Sequence, residues 1–165
     1  MMNLCPSPTE QCGDDAFTRL LFGSRNTVNP LDRDPNRAPW GTETILLVED
    51  ERQLAEVVDT VLTARGYTVL TAADGRSALE LSVKHGRDIK VVLADLRLPD
   101  LDGLEVCRRI TSDNPRARTI LSTGWTERTL GERARAAGVR HVVSKPYEMR
   151  ALLDLIRTVL DEDLA

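Results

Sequence analysis

Four short stretches of the 165-residue chain set a reactive side chain directly behind an apolar run. ILLV leads into Glu49, Asp50 and Glu51, VVLA into Asp95, ILS into Thr123, and VVS into Lys145, which Pro146 follows. Carboxylates gathered at one place repel: two unit charges about 4 Å apart cost roughly 4 kcal/mol at an effective dielectric near 20. A cation has to offset this. Lys145 is one source, and a hard divalent ion such as Mg2+, which takes oxygen ligands and keeps some of its waters, is the other. Lysine is scarce, occurring only as Lys84, Lys90 and Lys145. Its compact ammonium suits contact with a single carboxylate or phosphoryl oxygen better than a guanidinium fork does. Thr123 adds a hydroxyl, and Gly124 beside it would allow close backbone approach. The bond from Lys145 to Pro146 is of the type that can be cis, which would turn the lysine back toward the acids.

Taken singly, each of these residues has a plainer reading. Glu49, Asp50 or Asp95 could cap the next helix, Thr123 could be a turn residue and Lys145 a solvated charge. Their joint placement, one after each of the first, third, fourth and fifth apolar runs, is what points to a site.

The elements that must position them follow from the pattern. From Thr44 onward, apolar runs with the length of buried strands alternate with segments whose apolar residues recur at i, i+3 and i+4. Strands are expected at 45–48, 67–71, 91–95, 119–122 and 141–143, and helices at 51–65, 75–85, 103–112, 127–137 and 148–160. Leu54, Val57, Val58, Val61 and Leu62 give the first helix a core face, and Gly66 can supply a left-handed residue after it. Five such units imply a parallel sheet covered by helices on both faces, an α/β fold with right-handed crossovers. In such sheets function gathers at the carboxyl ends of the strands.

Residues 1–42 are different, with Pro6, Pro8, Pro30, Pro35 and Pro39 among polar residues and no sustained apolar period. They are expected to form a flexible or disordered extension to a domain spanning 43–165. Asp14 or Asp15 as a cap, Phe17, Leu20 and Leu21 at helical spacing and Gly23 as a stop would allow one short amphipathic helix, marginal on its own.

A net charge of -4 with mixed signs offers no basic stripe for a nucleic-acid backbone. The amino terminus shows no cationic lead before an apolar run, and no apolar stretch approaches the roughly 18 residues of a membrane span, so a cytoplasmic protein is expected. Cys5, Cys12 and Cys107 have neither zinc-site spacing nor the density of a disulfide scaffold, and reduced thiols are expected.

The motifs ILLVEDE, ADLRLPDLDG, ILSTGW and VVSKPY together make residues 44–161 resemble the receiver domain of bacterial two-component response regulators. The resemblance implies a five-stranded parallel doubly wound sheet of order 2-1-3-4-5, flavodoxin-like. It also implies that Asp95 is the phosphoacceptor and that Asp50 ligates Mg2+ directly, while Glu49 holds metal-bound water. Asp95 and the main-chain carbonyl of Arg97 would complete the protein's share of the coordination, and Thr123 and Lys145 would contact phosphoryl oxygens. The implied donor is a phosphohistidine on a sensor histidine kinase or histidine phosphotransfer protein. ILSTGWT is also similar to a stretch common in receivers fused to hybrid kinases. The sequence ends 19 residues after Pro146, room for the last helix only. The output expected is therefore binding of a separate effector through the fourth helix, fifth strand and fifth helix, or relay of the phosphoryl group. Charges of both signs on that surface leave homodimerisation open.

Two positions depart from the family pattern. The aromatic expected three residues before the lysine is Val142, with His141 beside it expected as an exposed neighbour. Arg97 and Trp125, each two residues beyond a site residue, are bulky and are expected to hinder attack by water. The chain is thus expected to be a phosphorylation-controlled module and not a turnover enzyme. The alternative is a receiver-like static interaction module that is not phosphorylated. An aspartyl phosphatase would want an acid at Arg97, and a flavin module a phosphate loop where Glu49, Asp50 and Glu51 would repel it.

Overall fold

A computed structural model describes residues 41–124 and 130–162. The expected extension, apart from its last two residues, lies outside the described residues, as do the short helix near its start, Trp125 and the opening turn of the helix expected at 127–137. The described residues alternate strand and helix: β1 (Thr44–Val48), α1 (Arg52–Ala64), β2 (Thr68–Ala72), α2 (Gly75–His85), a short 3-10 turn (Gly86–Asp88), β3 (Ile89–Asp95), α3 (Gly103–Asp113), β4 (Arg118–Thr123), α4 (Leu130–Ala136), β5 (His141–Ser144) and α5 (Met149–Asp161). The five strands are all parallel and lie in the order β2-β1-β3-β4-β5, as expected. β3 starts two residues before the expected 91, because Ile89 pairs with Thr44 across an irregularity in the β1–β3 register. Main-chain pairing of that kind leaves no mark in side-chain hydropathy.

Strand side chains alternate between faces, so the sheet carries two cores. Ile45, Leu47, Val91, Leu93 and Ile120 pack with Val58 and Leu62 of α1 and with Leu152 and Ile156 of α5. Leu46, Val48, Val92, Ala94 and Leu121 pack on the other side with Ala78 of α2, Val106 and Ile110 of α3 and Ala134 of α4. Burying each large aliphatic side chain contributes about 1.5–3 kcal/mol, which makes this sheet a firm base for its loops.

Helix ends are set by local chemistry. Asp74 caps α2 by accepting from the Ser77 amide at 2.7 Å, and Asp102 caps α3 by accepting from Leu104 at 2.8 Å. Gly66 takes the left-handed conformation foreseen for it after α1, with φ 96. Among the described residues no helix is long and apolar enough to cross a membrane.

Candidate functional site

Because the strands are parallel, their carboxyl ends share one edge, and the register sets which residues meet there. Val48 pairs with Ala94, which brings Glu49 beside Asp95; Asp95 pairs with Ser122, and Thr123 with Ser144, the residue before Lys145. The Lys145 amide donates to the Thr123 carbonyl at 2.7 Å, extending this alignment past β5. The Lys145–Pro146 bond is cis.

Glu49 is buried at 2% exposure, yet accepts a hydrogen bond from the Lys145 ammonium at 2.7 Å. The same ammonium donates to Asp95 Oδ2. The other Asp95 oxygen, Oδ1, accepts from the Arg97 amide at 3.0 Å. Desolvation pushes the Glu49 carboxyl above its usual range, and Lys145 offsets only part of that. Desolvation works against a charged Lys145 as well, but hydrogen bonds to Asp95 and Glu49 outweigh it and hold the ammonium above its ordinary value. Lys145 is therefore a fixed cation.

Glu49, Asp50 and Asp95 each place a carboxylate oxygen within 4.8 Å of the others. Three carboxylates against one ammonium leave a formal charge of -2 at this spot, the balance that a divalent cation would neutralise. An all-oxygen donor set with one exposed member, Asp50, suits a hard ion that retains water. The residues present thus fit Mg2+.

The loop after Asp95 is held closely. Gly103 donates to the Leu96 carbonyl at 2.9 Å, and a Cβ at Gly103 would run into the Asp95 carbonyl oxygen. Only glycine allows α3 to begin this near the end of β3. Asp102 also accepts from Arg133 of α4 at 3.0 Å, tying the loop to the next helix along.

The structure thus gathers Glu49, Asp50, Asp95 and Lys145, and puts the buried Thr123 and the Arg97 main chain at the same edge. One local expectation is corrected. His141 is half-buried and faces Glu162 at 3.1 Å, because α5 ends against the start of β5. Val142 is 42% exposed, with an aliphatic side chain where the family pattern has a ring. Asp100 was not foreseen as a contact residue. It accepts from the amides of Gly75 and Arg76 at the start of α2, across 25 and 24 residues of sequence, a separation that no local pattern reports.

This arrangement defines the class. The chain belongs to the response regulator receiver domain family, which matches residues 45–157. It is 33% identical over 116 residues to the response regulator ArlR of Staphylococcus aureus, covering 70% of this chain and 52% of that protein. It is 30% identical over 122 residues to the sensor kinase CckA of Brucella abortus, covering 74% of this chain and 13% of that one. The chain therefore spans about half the length of one curated relative and far less of the other. Among solved structures it is similar to a CheY-like receiver domain protein of Methanospirillum hungatei, with TM-score 0.68 and 26% identity, covering 73% of this chain and 95% of that one. A receiver domain serves as a phosphoacceptor in two-component signalling.

Proposed function

We propose that Asp95 accepts a phosphoryl group from the phosphohistidine of a sensor histidine kinase or histidine phosphotransfer protein. The observation that carries this reading is Lys145 shared between Glu49 and Asp95, with Asp50 close enough to complete an oxygen cage. An Asp95 carboxylate oxygen forms the bond to phosphorus as the phosphorus–nitrogen bond of the donor breaks. The Arg97 amide orients the carboxylate, and Lys145 passes from the free carboxylate to a phosphoryl oxygen. Thr123 reaches another phosphoryl oxygen from the end of β4. Mg2+, held by Asp50, Asp95 and the Arg97 carbonyl with Glu49 on a bound water, would supply the remaining charge neutralisation that phosphoryl transfer needs.

The product is a signalling state, not a released molecule, so the chain works as a switch and not as a turnover enzyme, in the cytoplasm. Output passes to a separate effector at the face of α4, β5 and α5, or the phosphoryl group moves onward in a relay. The Asp102–Arg133 contact supports the first route, since it links the acceptor loop to α4 without an aromatic ring.

Incubation with acetyl phosphate and Mg2+, read by intact mass, tests the reading. Wild-type protein gains one phosphoryl mass and Asp95→Asn gains none. The exposed Val142 favours one competitor, a static module, and absence of any gain with acetyl phosphate, phosphoramidate or a charged phosphotransfer protein would establish it.

A further inference from the structure

We propose that Asp100 is a positioning residue for the metal site, acting through the Arg97 carbonyl; the inference rests on the reading of Asp95 as a metal-assisted phosphoacceptor. Residues 96–102 form a small closed loop. The Arg97 amide is held by Asp95, Arg97 bridges to Asp102, and Gly103 closes the loop onto Leu96. These contacts shape the loop from within. What fixes it from outside, on the side of α2, is the Asp100 carboxylate, whose two oxygens accept from Gly75 at 2.7 Å and Arg76 at 2.9 Å.

Helix α2 already has a cap of its own, because Asp74 takes the Ser77 amide. Asp100 uses the two amides that Asp74 leaves, so it joins two elements where a cap would serve one. Its seating is close: a Cβ at Gly75 would lie 2.8 Å from the Leu101 Cβ and 2.9 Å from Val106 Cγ2. Although partial desolvation opposes it, the amides of Gly75 and Arg76 hold the Asp100 carboxyl below its ordinary range, so the clamp is an anion on a helix amino terminus at neutral pH. Release of this clamp removes the loop's anchor on α2 and loosens the segment that carries the Arg97 carbonyl, while Glu49 and Asp50 stay directly behind β1 and Asp95 at the end of β3.

Mg2+ binding, followed by backbone amide shifts in NMR with no phosphodonor present, tests this against a purely structural role. Asp100→Ala should weaken Mg2+ about tenfold, the low end of what loss of an outer-shell partner costs. Asp100→Asn, which keeps one acceptor oxygen, should fall between. Asp74→Ala removes the helix's own cap and should lower the melting temperature while leaving Mg2+ affinity unchanged. Wild-type affinity in both Asp100 variants, or an equal loss in Asp74→Ala, overturns the inference. Asp50→Asn marks the underlying reading: if it abolishes binding while the Asp100 variants bind normally, only the positioning role fails. If wild-type protein binds no Mg2+, both fail.

Discussion

Lys145 donates to Glu49 at 2.7 Å while also donating to Asp95, so a single ammonium serves one acid that is sealed in the protein and one that borders solvent. The two contacts differ in consequence. The Asp95 contact would have to break for Asp95 to act as the proposed acceptor, whereas the Glu49 contact keeps a buried charge compensated. Lys145→Met should therefore destabilise the metal-free protein by about 2 kcal/mol, less than loss of a fully buried pair because Lys145 is partly open to water. Adding Glu49→Gln should restore most of that. Urea unfolding in the presence of a chelator measures both, and a Lys145→Met variant as stable as wild type would show that Glu49 needs no partner.

Acid stability should depend on the far edge of the sheet. Glu43 accepts from Arg157 of α5 at 3.1 Å, with both side chains less than a third exposed. Desolvation raises the Glu43 carboxyl, but its main-chain hydrogen bonds and Arg157 together bring it below the ordinary 4.5. A carboxyl depressed in the folded state stabilises fully above its unfolded value and loses that stabilisation as pH falls through the folded one. The gap in unfolding free energy between wild type and Glu43→Gln should therefore shrink from about pH 6 to about pH 3. A gap that stays constant over that range would remove the pair from the account.

Arg97 is exposed two residues beyond Asp95, the position from which its bulk is expected to hinder attack by water on a phosphorylated Asp95. Arg97→Ala should speed dephosphorylation on the order of threefold, the effect of about 0.7 kcal/mol in the barrier. Loss of radioactive phosphate from the isolated phosphoprotein reads it directly, and an unchanged rate would sink the shielding role. Trp125 carries the same expectation from sequence but lies outside the described residues.

The legible part of this protein is the part written in short-range pattern. Apolar runs such as ILLV and VVLA mark strands buried on both faces, and the reactive residue behind each run falls at the sheet edge whatever the helices do. α2 begins at Gly75 and ends at His85, as the pattern predicts, since Asp74 and Gly86 punctuate it. The clamp of Asp100 on α2 and the Asp102–Arg133 contact were not legible. Both depend on how separate loops are seated after the sheet has formed, and neither partner is identifiable from spacing.

Two glycines give a last prediction of opposite signs. At Gly103 an added Cβ would meet the Asp95 carbonyl oxygen and lie 3.0 Å from the Leu96 Cα, backbone atoms that cannot swing aside. Gly103→Ala should destabilise by about 2 kcal/mol, as overpacking of a rigid contact does. On the proposed function it should also slow phosphorylation, because whatever yields is the strand end that carries Asp95. At Gly131, inside α4, a Cβ would meet nothing within 4 Å among the described residues, so Gly131→Ala should stabilise by about 0.5–1 kcal/mol through reduced chain entropy. Denaturant midpoints of the two variants, with the acetyl phosphate reaction run on each, separate the effects. If Gly103→Ala phosphorylates at the wild-type rate, the close approach of α3 to β3 is a packing feature with no part in holding Asp95.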